Sequence, residues 1–299
     1  MSLHGFVILD KPLGLGSTQA VAAIKRIARQ TGAGKVKVGH GGTLDPLATG
    51  VLPIALGEAT KLAGRLLDAT KTYDFTLGFG EATSTLDAEG AVVATSAERP
   101  TRAELEAVLP RFTGPIEQVP PAFSALKVDG RRAYDLARAG EAVALASRSV
   151  VVHELVVSQT NARALEDAHL SATVSKGTYI RTLGADIAEA LGTVGHLTAL
   201  RRTKAGPFTL ADALTLDEVE ERARAGGLGP LLRPVASALA DIPAWRVSRD
   251  QADRLSKGQV WSDPARTGLH LALDGDTPVA LVEFDAGELR IVRGFNLPR

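Results

Sequence analysis

Among 299 residues there is no cysteine, one methionine, two tryptophans and three tyrosines. Without thiols there is no disulfide, no cysteine nucleophile and no thiolate metal site. Long apolar runs are also missing: nothing reaches the roughly 18 consecutive apolar residues a membrane helix needs. The N-terminal run is only Phe6-Val7-Ile8-Leu9, with no basic segment before it, so no signal peptide is expected. A cytoplasmic location is the expectation. Three glycine fingerprints are absent as well: the phosphate loop G-x-x-x-x-G-K-[ST], the dinucleotide loop G-x-G-x-x-G after a strand, and the G-x-S-x-G nucleophile elbow. What remains is 45% apolar and 23% charged, an ordinary globular composition.

A chain strongly biased toward positive charge is missing too. Lys+Arg and Asp+Glu each number 34, a formal net charge of zero. Taken alone, that argues against a nucleic-acid partner. The charges are nevertheless segregated. Residues 1–65 hold eight basic and three acidic residues, 120–140 four and two, and 171–208 five and two. The balance falls elsewhere, which allows a basic face on a neutral protein. Charge scattered over solvated faces is the plainer alternative.

Phe6–Leu9 reads as a buried strand. Ser17 or Thr18 is placed to cap a helix carrying Val21, Ile24 and Ile27. Strands are expected at Val51–Leu56, Thr72–Phe79, Ser149–Val157 and Leu170–Val174. Helical segments are expected at Glu58–Leu67, Pro100–Phe112, Tyr179–Leu191 and Leu216–Ala225, with Thr101 and Glu104 forming a capping box. From about Asp241 short β-like pieces alternate with Gly, Asp and Pro turns. Strands and helices do not alternate regularly, so the expected class is α+β: a mixed or antiparallel sheet flanked by helices over residues 1–240, with a small, mostly β domain at 241–299.

The segment richest in chemistry is Gly39-His40-Gly41-Gly42-Thr43-Leu44-Asp45-Pro46. Its glycines permit close backbone approach and positive φ. Pro46 biases Asp45 toward an extended conformation, from which a carboxylate can project off a loop. Asp-Pro can equally just start a turn. His40 has no second ligand at metal spacing, and reads either as a structural histidine or as an RNA-facing group. Each tyrosine lies near basic residues: Lys71-Thr-Tyr73, Arg131-Arg132-Ala-Tyr134 and Lys176-Gly-Thr-Tyr179-Ile-Arg181. Aromatic rings beside Arg or Lys are how unstacked bases are gripped, though a core role is the default. If residues 176–181 are extended, Tyr179 and Arg181 share a face; at a helix start they diverge. Arg181 could there reach a loop carboxylate.

Taken together, these segments resemble the bacterial TruB family of tRNA pseudouridine-55 synthases over about residues 4–235. The resemblance rests on Gly5–Pro12 with Ser17, Gly39–Pro53 around Asp45, Lys71-Thr-Tyr73, and the Thr83-x-Thr85-x-Asp87-x-x-Gly90 turn. It continues through Val119-Pro-Pro-Ala-Phe-Ser-Ala-Leu-Lys127, Gly130–Arg138, Lys176–Thr182 and Leu200-Arg-Arg-Thr-x-x-Gly-Pro-Phe208. The tail, with Leu255-Ser-Lys-Gly258, is similar to a PUA-type RNA-binding module. The resemblance implies a pseudouridine-synthase fold and an isomerase of tRNA, acting on uridine 55 of the T-arm loop by base flipping, without cofactor or metal. It implies Asp45 as nucleophile, Arg181 as its partner and Tyr73 as the aromatic packed on the base. It also implies RNA or substrate contacts at His40, Lys11, Gly42, Thr43, Asp87, Lys127, Lys176, Tyr179 and Leu200. No membrane and no protein partner are implied, and a monomer is expected. Two rival functions are a guide-RNA-dependent, dyskerin-type synthase and a non-catalytic tRNA-binding or tRNA-folding protein.

Overall fold

Phe6–Leu9 shows no alternation because both faces of its strand are covered. Val7 and Leu9 enter a core with Ile24, Ile27, Leu183 and Ile187, while Phe6 and Ile8 enter a second core with Val51, Phe208 and Leu239. At about 2 kcal/mol per large buried side chain, such rows anchor the sheet. The computed structural model describes residues 3–124, 126–128, 130–141, 143–159 and 164–299. In it, strand β1 (Gly5–Lys11) leads to helix α1 (Ser17–Gln30), β2 (Val38–His40), β3 (Ala48–Leu56), α2 (Ala63–Asp68) and β4 (Lys71–Phe79). A hairpin of β5 (Glu81–Thr83) and β6 (Val92–Thr95) precedes α3 (Arg102–Val108) and β7 (Gly114–Gln118). Next come β8 (Lys127–Val128), β9 (Arg131–Arg132), α4 (Ala133–Arg138), β10 (Arg148–Gln159) and β11 (Asp167–Val174). Then follow α5 (Ile180–Ala190), β12 (Gly195–Ala205), β13 (Phe208–Thr209) and α6 (Leu216–Gly226).

The main sheet runs β1-β3-β12-β4-β11-β10-β7, with β2 and β13 paired at its margins. Its pairings are antiparallel except for β3 with β12. This is the mixed α+β sheet expected from the irregular order of elements. One transverse row matters most: Lys11 pairs with Gly50, Gly50 with Arg202, Arg202 with Tyr73, and Tyr73 with Ala172. Gly50 has φ +99°, and a Cβ there would stand 2.2 Å from the carbonyl oxygen of Arg202. Only glycine lets β3 and β12 approach this closely.

The last part of the chain builds a four-stranded sheet, β14 (Ala244–Arg246), β15 (Gly268–Asp274), β16 (Thr277–Asp285) and β17 (Glu288–Gly294), with α7 (Arg249–Ser256) against it. Leu271, Leu281 and Phe295 join the second core of the main sheet. Across the junction, Lys61 Nζ donates to Gly294 O at 2.9 Å and Arg65 meets Asp241 at 2.6 Å.

Two local expectations need adjustment. Gly16, not Ser17 or Thr18, caps α1, and Gln19 Oε1 accepts the Gly16 N–H at 2.7 Å. Ser17 is instead buried and bonded to Leu44, across the fold. The helical stretch after Gly57 opens as a 3-10 turn before becoming α2. The Thr101–Glu104 capping box forms as expected.

Candidate active site

The parallel pairing of β12 with β3 brings the loop before β3 beside β4 and the start of α5. The result is a cleft of about 260 Å³ lined by Asp45, Tyr73, Tyr179, Arg181, Leu200 and Arg202, among others.

Asp45 keeps 39% of its side chain exposed, while Arg181, its partner, keeps 5%. Asp45 Oδ2 lies 3.0 Å from Arg181 Nη2. The same nitrogen donates to Phe123 O at 2.9 Å. Nη1 donates to Thr85 O at 2.8 Å and stands 3.5 Å from Asp87 Oδ2. Arg181 is therefore not a two-point clamp on Asp45: most of its fork is bound to the protein behind it. Tyr179 caps α5 and Arg181 sits in its first turn, yet both line the cleft. The divergence expected at a helix start is offset by the cleft wrapping around that helix end.

The loop carrying Asp45 is held at several points. Arg202 donates from Nη2 to Gly42 O at 3.2 Å, from Nη1 to Thr43 O at 3.3 Å, and from Nε to Val51 O at 2.7 Å. Ser17 Oγ donates to Leu44 O and accepts from Leu44 N, both at 2.8 Å. Lys11 Nζ donates to Leu15 O at 2.6 Å, Pro12 O at 3.0 Å and Pro46 O at 3.3 Å. Burial pushes the Lys11 ammonium down to about 8, against the attraction of Asp45 and Glu89. Lys71 is likewise lowered to about 8, by burial first and then by Arg202. Burial, with Arg202 adding to it, also holds His40 below the usual imidazole value.

Two residues expected to contact RNA are buried in this structure. Lys11 has no exposed surface, and its ammonium is committed to carbonyls, so it braces the loop from within. Asp87 is buried behind Arg181, with Oδ1 accepting from Thr85 Oγ and from Glu89 N. Three protein donors surround it. Gly42 and Leu200 are buried and line the cleft, as does exposed Thr43. Lys176 is exposed and pairs with Asp68 at 2.9 Å. His40 lies half-buried on β2, outside the residues lining the cleft, and its Nδ1 has no hydrogen-bond partner. Lys127 lies in β8, and its side chain falls outside the described residues.

The structure adds residues that the sequence did not mark as site residues. Ser124 lines the cleft with a buried, unpartnered hydroxyl. Arg148 stacks its guanidinium 4.8 Å from the Tyr179 ring centre and donates to Gly177 O. Arg202 lies beneath the Asp45 loop. Its one sequence signal is the basic pair Arg201-Arg202 inside an apolar strand.

Comparison with known proteins places the chain in a class, the pseudouridylate synthases. Residues 25–180 match the family described as "TruB family pseudouridylate synthase (N terminal domain)", and residues 181–240 match "tRNA pseudouridylate synthase B C-terminal domain". A protein named tRNA pseudouridine synthase B from Novosphingobium aromaticivorans is 57% identical, over 99% of this chain and 98% of its own. One of the same name from Zymomonas mobilis is 53% identical, over 99% and 97%. Among solved structures, one described as an H/ACA RNP bound to a substrate RNA containing 2′-deoxyuridine superposes with a TM-score of 0.74 at 25% identity, covering 99% of this chain and 86% of the other. A Cbf5-Nop10-Gar1 complex gives 0.72 at 26%, covering 99% and 84%. The chain belongs to the TruB family of pseudouridylate synthases.

Proposed function

We propose that the protein isomerises uridine 55 in the T-arm loop of tRNA to pseudouridine, with Asp45 as the nucleophile on a flipped-out nucleotide. The observation that carries this is the half-open Asp45 carboxylate, paired with a buried guanidinium in a cleft of about 260 Å³. The full-length likeness to proteins named tRNA pseudouridine synthase B supports tRNA as substrate.

The reaction breaks the N1–C1′ bond, turns the uracil and joins C5 to C1′. A proton leaves C5 and one is gained at N1, so atoms and electrons balance within the nucleoside. Arg181 favours the charged form of Asp45, the form that attacks, whether at C6 or at C1′. Tyr73, in the middle of the sheet and lining the cleft, packs on the extruded base in this reading and assists proton movement at C5. Apolar Leu200 and Ile180 exclude water around the detached uracil. Flipping the target costs a few kcal/mol, which tRNA binding offsets. Residues 1–240 form the catalytic domain in this reading, and residues 241–299 a PUA-type module that adds RNA contacts. The protein works alone, as a cytoplasmic monomer.

The likeness to H/ACA ribonucleoproteins favours a second reading, in which a guide RNA selects the uridine. Incubating a bare tRNA transcript with the purified protein separates the two, with pseudouridine mapped by chemical modification and primer extension. Conversion at position 55 without other components is the expected result. Asp45→Ala should bind tRNA and lose at least ~5 kcal/mol of barrier reduction, about 10⁴-fold in rate. Turnover within tenfold of wild type in Asp45→Ala would end the assignment.

A further inference from the structure

Arg201 and Arg202 are neighbours on β12 with opposite fates. Arg201 meets the Asp10 carboxylate at 2.7 and 3.1 Å. Arg202 is 1% exposed, the bulkiest of the fully buried side chains, and among the described residues no carboxylate pairs with it. A buried cation without an anion is costly, so its place needs a reason. Its acceptors supply one. Nε is fixed on Val51 of β3, while Nη1 and Nη2 reach the carbonyls of Thr43 and Gly42. A rigid planar fork held at one end by a strand sets the distance of the loop at its other end. Ser17 fixes the next residue from the other side, through both the N–H and the carbonyl of Leu44. Gly42, Thr43 and Leu44 are the three residues that lead into Asp45. The carboxylate itself stands on the open side, held by one guanidinium nitrogen.

The geometry points to Arg202 and Ser17 as positioning residues for the isomerisation: they aim the Asp45 carboxylate by fixing the backbone that carries it. This rests on Asp45 being the nucleophile. Both residues act on the rate of the chemical step and leave tRNA affinity nearly unchanged. A guanidinium needed only for folding would lower stability and spare the rate of the molecules that fold.

The test is single-turnover conversion of an unmodified tRNA transcript at saturating enzyme, with tRNA dissociation constants and thermal melting measured on the same preparations. The variants are Arg202→Met, Arg202→Lys, Ser17→Ala and Asp45→Ala. Misplacing a reacting group by about 1 Å can cost on the order of 100-fold, so Arg202→Met should lose at least ~30-fold in rate. Arg202→Lys keeps the cation without the fork and should recover only part of that rate. Ser17→Ala removes one small group and should fold normally, losing about fivefold, the scale of one hydrogen bond. All three should bind tRNA within about threefold of wild type, on the premise that the changed contacts are internal. The proposal is overturned by wild-type rates in folded Arg202 variants, or by a loss confined to tRNA affinity. It is equally overturned if neither Arg202 variant folds and Ser17→Ala keeps the wild-type rate. An active Asp45→Ala would instead remove the nucleophile reading, an outcome distinct from each of these.

Discussion

The Asp87 carboxylate lies 3.5 Å from Arg181 Nη1, the guanidinium nitrogen that Asp45 does not touch. Arg181 thus stands between two carboxylates of unlike exposure: Asp87 at 2% and Asp45 at 39% of the side chain. The buried one secures the arginine from behind, and the half-exposed one faces the cleft.

That asymmetry predicts different outcomes for two similar substitutions. Asp87→Asn strips a buried cation of its buried partner and should destabilise the fold by roughly 3 kcal/mol, with a reduced rate. Asp45→Asn removes a half-exposed partner and should change stability by less than about 1 kcal/mol. Urea unfolding of both variants checks this. Equal destabilisation would contradict the ordering. A large loss of tRNA affinity in Asp87→Asn would return Asp87 to the RNA contacts.

Arg181→Lys should not be conservative. A lysine nitrogen cannot serve Asp45, Phe123 O, Thr85 O and Asp87 together, as the guanidinium does. The variant should bind tRNA nearly normally and lose at least ~30-fold in single-turnover rate, below the penalty for a 1 Å misplacement. A wild-type rate at saturating enzyme would remove Arg181 from the site.

Proton linkage gives a test of Lys11. Its folded value of about 8 lies below the ordinary 10.5. Between pH 8 and 10.5 the unfolded chain therefore holds more protons at this group than the folded one. Stability from this group rises with pH across that window and is flat below it. The stability of wild type relative to Lys11→Met should increase from pH 8 toward pH 10, read by urea unfolding. Parallel pH curves for the two proteins would show that the Lys11 proton is not depressed.

tRNA binding should be electrostatic despite the zero net charge. Lys11, Arg181 and Arg202, which contribute to the basic segments, are buried. The exposed basic residues, Lys35 and Lys37 among them, are the ones that can meet phosphates. With about five or six phosphates neutralised, log affinity should fall with log salt at a slope of roughly −3.5 to −5. Charge reversal at Lys35 and Lys37 should flatten that slope, whereas a slope near zero in the wild type would count against a basic face.

Local rules were readable where the partners are near in sequence. The Thr101–Glu104 box spans three residues, and the apolar runs of β1 and β3 announce burial on both faces. The Asp45 loop stood out by its glycines and its proline. The burial of Lys11 and Asp87 is not legible in the sequence, because a buried ion looks like a surface ion until its distant partners are known. Lys11 is held by Pro46 O, and Asp87 lies behind Arg181, both far along the chain. Arg202 escaped notice for the same reason: its acceptors at Gly42, Thr43 and Val51 come from the opposite end of the domain. Ser17 looked like a helix cap because the glycine before it can cap as well.

β12 comes later in the chain than both strands it separates, β3 and β4. During synthesis, a chain halted before residue 195 already contains Asp45, Tyr73 and Arg181, but the slot between β3 and β4 is empty. Pairings between distant segments form slowly because the intervening loop must close first. In a nascent molecule these three groups are therefore brought to one cleft only when β12 takes its place between β3 and β4.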